Sequence, residues 1–190
     1  MAAVLADRPF YRRSGGGVTF SGGEPLVQAD FVRAGLRASK EAGVGTALET
    51  SGHVPWATLE SVLPWVDHLL YDVKHVDPEV HRAYTGASNT LIFDNLRKVA
   101  AIARRLVIRV PVIPGFNDTP EAISDIVHLA QSLDRVDELH ILPYHRMGQA
   151  KYDQLDRAYS LKGVLPPSED QAREWAAMVE KLGLKCRIRG

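Results

Sequence analysis

Short apolar runs alternate with helix-patterned stretches along the whole chain, and that alternation limits the fold more than any other feature. The runs are Gly17–Phe20, Val44–Leu48, Val66–Val73, Leu106–Ile113 and Val136–Leu142, with a short last run at Lys185–Ile188. Each is brief and most carry β-branched residues, as parallel strands buried on both faces do. Between them, apolar residues recur at helical spacing: Val27, Phe31, Ala34 and Ala38; Leu96, Val99 and Ala103 within Asn89–Ala103; Ile123, Ile126, Ala130 and Leu133; Ala172, Trp175, Val179 and Leu182. The ends are marked as well. Thr119-Pro120 reads as N-cap and first helical residue, Ser168 with Gln171 as a capping box, and Gly183 as a stop. Repeated βα units give an α/β fold with a parallel sheet. Five to six units predict an incomplete (partial) β/α barrel, because a full eight-unit barrel takes about 250 residues and this chain has 190. One domain over 1–190 is expected.

Bulk properties remove several function classes. Basic and acidic residues balance at 23 each, so charge offers no case for a nucleic acid or a membrane surface as partner. No apolar run reaches the roughly 18–20 residues of a spanning helix, and residues 1–13 lack a secretory apolar segment. The one cysteine, Cys186, forms neither an internal disulfide nor a metal or iron–sulfur cage. A soluble cytoplasmic protein is the expectation.

In β/α barrels chemistry gathers at the C-terminal ends of the strands. The residues there are Ser21-Gly22-Gly23-Glu24-Pro25, Glu49-Thr50-Ser51-Gly52, Tyr71-Asp72-Val73-Lys74-His75, Arg109 through Gly115, and Leu142-Pro143-Tyr144-His145. Five consecutive polar or glycine-rich strand ends predict one shared site. Each feature alone also has a plain structural reading. Gly22-Gly23 suits a tight turn; Asp72 and Lys74, two apart on a strand, share a face and suit an ion pair; Arg109 inside an apolar run requires a partner or an anion. His68, His81, His128 and His140 are taken as structural, and Cys186 as a small buried apolar residue. As a ligand set, Lys74 and Arg109 offer cations to a carboxylate. Glu24, Asp72 and the Gly22-Gly23 backbone offer acceptors to an ammonium, and Thr50, Ser51 and His145 offer partners to a ribose. A zwitterionic amino acid joined to a nucleoside fits that sum, although composition and spacing do not select it over other small ligands.

The same residues carry a family resemblance. Ser21 to Pro25 resembles the GGEP motif of the radical S-adenosylmethionine (SAM) superfamily. The stretch Phe10–Leu26, the segments Leu48–Gly52, Asp72–His75, Ile108–Pro111 and Gly115–Asp118, and Leu142–His145 with Lys151-Tyr152 together resemble activating enzymes of glycyl radical enzymes, pyruvate formate-lyase activating enzyme among them. The resemblance covers nearly the whole chain, in the family's order. It implies that Gly22, Gly23, Glu24, Thr50, Asp72, Val73, Lys74, Arg109 and His145 surround SAM, with Arg109 supporting its charged end. It also implies a monovalent cation near Glu49, Thr50, Asp72 and the Leu70 carbonyl. Glutamate at Glu49 is more typical of activators serving glycyl radical enzymes other than pyruvate formate-lyase.

The family's C-x3-C-x2-C loop, whose thiolates hold a [4Fe–4S] cluster, is expected upstream of Arg8-Pro9-Phe10 and is not in this sequence. The implied reaction is reductive cleavage of SAM to a 5′-deoxyadenosyl radical that takes hydrogen from a glycine of a partner enzyme, with reduced flavodoxin or ferredoxin as electron donor. No residue of the chain is then needed as an acid or base, so none is named catalytic, and the chain alone is expected to be inactive. Two other readings stay open: a radical SAM enzyme acting on a small molecule, and a cluster-free module that binds SAM or a protein. The loops 50–55, 74–87, 115–119 and 145–152 are expected to form the mouth of the site, with Gly148, Lys151 and Tyr152 seating the glycine loop.

Overall fold

The computed structural model describes residues 1–148, 154, 156, 158–159 and 161–189. Six strands, β1 (Gly17–Phe20), β2 (Gly45–Thr50), β3 (His68–Asp72), β4 (Leu106–Val112), β5 (Glu138–Pro143) and β6 (Cys186–Ile188), form one sheet. All neighbours are parallel, and their order in space is their order in the chain. Parallel crossovers are right-handed. When each moves one strand in the same direction, every connection falls on the same face of the sheet. That face becomes the convex, helix-covered one, and the sheet curls away from it. β1 and β6 do not pair with each other among the described residues, so the barrel is partial, as its unit count requires.

Strand register separates the two faces. Leu48, Leu69 and Leu106 lie side by side, as do Tyr71, Ile108 and Leu139, and all six are sealed beneath the helices. On the concave face the neighbouring rows are Glu49–Leu70–Val107–Glu138 and Asp72–Arg109–His140–Arg187. The apolar runs therefore face helices on one side only; the other side carries charge.

The helices are short α1 (Ala2–Ala6) and α2 (Arg8–Ser14), then α3 (Ala29–Glu41), α4 (Trp56–Glu60), α5 (Pro78–Thr85), α6 (Thr90–Ile102), α7 (Pro120–Gln131) and α8 (Glu169–Lys181). The expected caps form: Thr119 accepts from Ala122 N–H, the Ser168–Gln171 capping box closes, and Gly183 follows α8 with φ +90°. The expected mouth segment 74–87 is not a simple loop, because Asp77 caps α5 inside it.

The apolar stripe read on α3 is not its buried face. Val32, Leu36 and Ser39 are buried, while Val27 and Phe31 are 80% and 70% exposed. Gly35 explains the offset. A Cβ there would lie 2.6 Å from the Phe20 ring, so the helix sits tightly on β1 along its glycine. At 100° per residue, Phe31, Ala34 and Ala38 then fall on the flank beyond Gly35, away from the buried Val32, Leu36 and Ser39.

At the opposite end of the sheet Glu138, only 3% exposed, gathers Arg105, Lys185, Arg187 and His140 at 2.7–3.0 Å. Hydrogen bonds from Lys185 and His140, with the surrounding positive charge, hold its carboxyl down at about 2. This buried carboxylate ties the three-residue β6 to β5.

An unpaired strand edge beside an apolar flank is a template for association. The chain is expected to self-associate in sedimentation velocity runs, and Phe31→Glu to increase the monomer fraction. A wild-type chain that is monomeric at high concentration contradicts this.

Candidate functional site

Glu24 builds the first part of the strand-end region. It caps the 3-10 turn Pro25–Gln28 by accepting from Leu26 N–H at 3.1 Å. The same carboxylate accepts from the Thr50 hydroxyl at 2.8 Å and from the Ser51 N–H and hydroxyl at 3.0 and 2.8 Å. Four donors saturate it. Glu24 thus clamps the end of β1 to the end of β2 and is not an open acceptor for a ligand ammonium. Thr50 is buried, gives its proton to Glu24 and accepts from Gly52 N–H at 2.9 Å, so its hydroxyl is already engaged. The turn beyond is fixed from behind. Gly52 has φ +70° and packs so closely on Tyr71 that a Cβ would lie 1.7 Å from the phenol oxygen. The Asn95 amide donates to the carbonyls of Gly52 and Val54, both at 2.8 Å.

The second part is a line of charge on the concave face. Arg109 pairs with Glu49 and lies 3.7 Å from Asp72, whose other oxygen is 3.8 Å from the Lys74 ammonium. Glu49, Arg109, Asp72 and Lys74 sum to zero charge, yet compensation is uneven. Asp72 Oδ1 is buried and has no hydrogen-bond partner. Burial pushes the Asp72 carboxyl up; Lys74 and Arg109 oppose the shift, while Glu49 and Glu24 add to it. Arg109 thus pairs with both Glu49 and Asp72, the two carboxylates expected to surround a monovalent cation.

Gly22 and Gly23 follow β1 with nothing within 4 Å of a Cβ on either, so their backbone borders open space. Val73 is buried and continues the β3–β4 ladder by donating to the Arg109 carbonyl at 2.9 Å. At the β5 end, exposed His145 shares a cleft of about 290 Å³ with Arg109, over a floor of Pro111, Ile113 and Leu142. The sequence-predicted residues of β1 and β2 are thus joined through Glu24, those of β2, β3 and β4 through Arg109, and His145 reaches the set across the cleft. Gly148 also lines that cleft, whereas Lys151 and Tyr152 lie outside the described residues.

Sequence reasoning missed the buried asparagines Asn89, Asn95 and Asn117. Asn95 carried a signal, since it interrupts the core face formed by Ile92, Phe93, Leu96 and Val99. A polar residue there must answer to some backbone group.

Chemically, Asp72 Oδ1 lacks a hydrogen-bond donor, Lys74 keeps 30% side-chain exposure as a cation beside the other Asp72 oxygen, and the Gly22-Gly23 backbone borders open space past the end of β1. That set fits the ammonium and carboxylate of an amino-acid moiety such as the methionine end of SAM. It does not fit an iron–sulfur cluster. Cys186 sits in β6 opposite Leu139, near the N-terminal end of β5, and burial raises its thiol to about 11. Among the described residues no group of three or more His, Cys, Asp or Glu side chains could hold a metal ion.

Comparison with known proteins gives the family. The model of the radical SAM superfamily matches residues 5–130. The chain is 40% identical over 172 residues to the (2S)-3-sulfopropanediol dehydratase activating enzyme of Klebsiella oxytoca, covering 86% of this chain and 52% of that protein. It is 47% identical over 156 residues to the isethionate sulfite-lyase activating enzyme of Oleidesulfovibrio alaskensis, covering 81% and 50%. Among solved structures, a domain of pyruvate-formate lyase-activating enzyme from Bacteroides vulgatus superposes with a TM-score of 0.76 at 31% identity, covering 92% of this chain and 99% of that domain. The chain spans about half the length of the curated relatives it matches.

The raised Asp72 carboxyl makes a stability prediction. The folded chain holds this proton more tightly than the unfolded chain does. The penalty for the ionised form is therefore fully present above the folded pKa, shrinks as pH falls from there, and is gone below the lower unfolded pKa. Asp72→Asn should raise Tm at neutral pH and lose that advantage in acid. An equal or lower Tm at neutral pH contradicts this.

Proposed function

Because this chain belongs to the radical SAM superfamily, among the activating enzymes of glycyl radical enzymes, we propose that the protein carrying it installs a glycyl radical on a partner enzyme by means of SAM and a [4Fe–4S] cluster. When bound, SAM and the cluster together supply reductive cleavage and a carbon radical able to abstract hydrogen. The chain's own residues bind and orient. Asp72 accepts from the ammonium of the methionine moiety, together with the carbonyls at Gly22 and Gly23. Lys74 pairs with the carboxylate, and Arg109 backs it while holding Glu49. Val73 and His145 border the nucleoside, and the apolar floor of Pro111, Ile113 and Leu142 keeps water away from it. The cluster ligands come from outside this chain, which alone is inactive.

The observation that carries the reading is the Asp72 carboxylate: its buried Oδ1 has no hydrogen-bond donor and only Arg109 at 3.7 Å, and the Lys74 ammonium lies beside its other oxygen. An acceptor kept dry without a donor costs about 1–3 kcal/mol, a cost that a bound ammonium removes. For the partner, Glu49 and the relatives' names favour a glycyl radical lyase, dehydratase or decarboxylase over pyruvate formate-lyase. Reduced flavodoxin or ferredoxin is the proposed electron source and the cytoplasm the proposed compartment. Among the described residues no helix is long and apolar enough to cross a membrane.

The test uses the full-length, cluster-loaded protein with SAM, a reductant and candidate partner enzymes. Electron paramagnetic resonance should show a glycyl radical on one partner. Lys74→Ala should weaken SAM binding by roughly 10- to 150-fold, the loss expected for one charge-assisted hydrogen bond. Absence of a protein radical with every partner, alongside turnover of a small molecule, contradicts the proposal.

A further inference from the structure

The backbone that carries Lys74 leaves the sheet at a point where the strand ladder has ended. The Val73 N–H makes the last β3-to-β4 backbone bond, to the Arg109 carbonyl. Beyond it three consecutive carbonyls, those of Lys74, His75 and Val76, have side chains as partners. Asn117, 0% exposed, donates to the Lys74 carbonyl at 2.6 Å and to the Pro111 carbonyl at 2.8 Å. Its own oxygen accepts from Ile113 N–H at 2.8 Å. Asn89, also buried, donates to the carbonyls of His75 and Val76 at 2.8 and 2.7 Å. The Asn117 amide has the donors and acceptor of a peptide group and bridges the diverging ends of β3 and β4. Phe116 stacks with His75, at 5.5 Å between ring centroids, and with Tyr84, at 4.3 Å; the Tyr84 hydroxyl donates to the Gly115 carbonyl at 2.6 Å. These contacts hold the Asn117 loop against the segment it grips.

We propose that Asn117 is a positioning residue for SAM binding: by fixing the peptide plane after Lys74, it holds the Lys74 ammonium beside Asp72. This rests on the proposed function for the identity of the ligand, but the effect on Lys74 does not. Asn117 touches no reacting atom and acts through Lys74 alone.

Two measurements test it. In this chain without ligand, competitive acetylation read by mass spectrometry compares Lys74 with the exposed Lys98. Asn117→Asp keeps the shape but loses both donors, and should raise Lys74 labelling several-fold while leaving Lys98 unchanged. Unchanged Lys74 labelling overturns the proposal whatever the ligand is. In the full-length cluster-loaded protein, SAM affinity is measured for Asn117→Asp, Lys74→Ala and the double variant. Asn117→Asp should weaken binding by roughly 10- to 100-fold, the scale of a displaced ligand-positioning group. It should add little in the Lys74→Ala background. A full additional loss in that background, or wild-type affinity in Asn117→Asp, overturns the proposal. Should the Asp variant fail to fold, Asn117→Ser, which keeps one donor, goes through the same cycle. Wild-type SAM affinity in Lys74→Ala refutes the SAM site itself, and the acetylation result then judges the positioning role separately.

Discussion

The strands of this sheet end together along one rim, and past that rim their backbone groups lose the ladder that satisfied them. Buried donors and acceptors cannot be left unpaired cheaply, so side chains replace the ladder. The Glu24 carboxylate takes four donors from the ends of β1 and β2. Asn95 holds the turn after β2, and Asn117 and Asn89 hold the segment after β3. Positions that look like ligand contacts by residue type alone thus divide into two groups. Glu24 and Thr50 make the frame; Lys74 stays partly exposed beside Asp72, and the Gly22-Gly23 backbone borders open space.

Charge is distributed along the concave face with the same division. Glu138 sits at the N-terminal end among several cations, fully compensated, and its carboxyl is held low. Asp72 sits at the C-terminal end, incompletely compensated, and its carboxyl is driven up. The buried Glu138 and the half-buried Asp72 differ because one closes a structural network and the other has an oxygen without a hydrogen-bond donor. Arg109 links the two rows, holding Glu49 while supporting Asp72.

Much of this was legible in the sequence because strand order and helix caps follow from local patterns. The βα alternation gave six parallel strands in order, Thr119 and Ser168 with Gln171 started helices as expected, and Gly183 followed the last one. The α3 stripe misled because the rule that apolar residues face the core assumes a completed sheet. Here Val27 and Phe31 stay exposed, and the glycine contact with Phe20 sets the rotation of the helix. The strand-end residues were legible as a set, through position and through the resemblance. Their division of labour was not, since whether Glu24 meets a ligand or a neighbouring turn depends on a pairing 26 residues apart.

The central claim is that the Asp72–Lys74 end of this rim receives the amino-acid end of SAM. A structure of the full-length, cluster-loaded protein with SAM bound tests it most directly. The account predicts the SAM ammonium within hydrogen-bond distance of Asp72 Oδ1 and the carboxylate beside Lys74, with Glu24 still clamping Thr50 and Ser51. SAM bound elsewhere, with Asp72 Oδ1 still unpartnered, contradicts it.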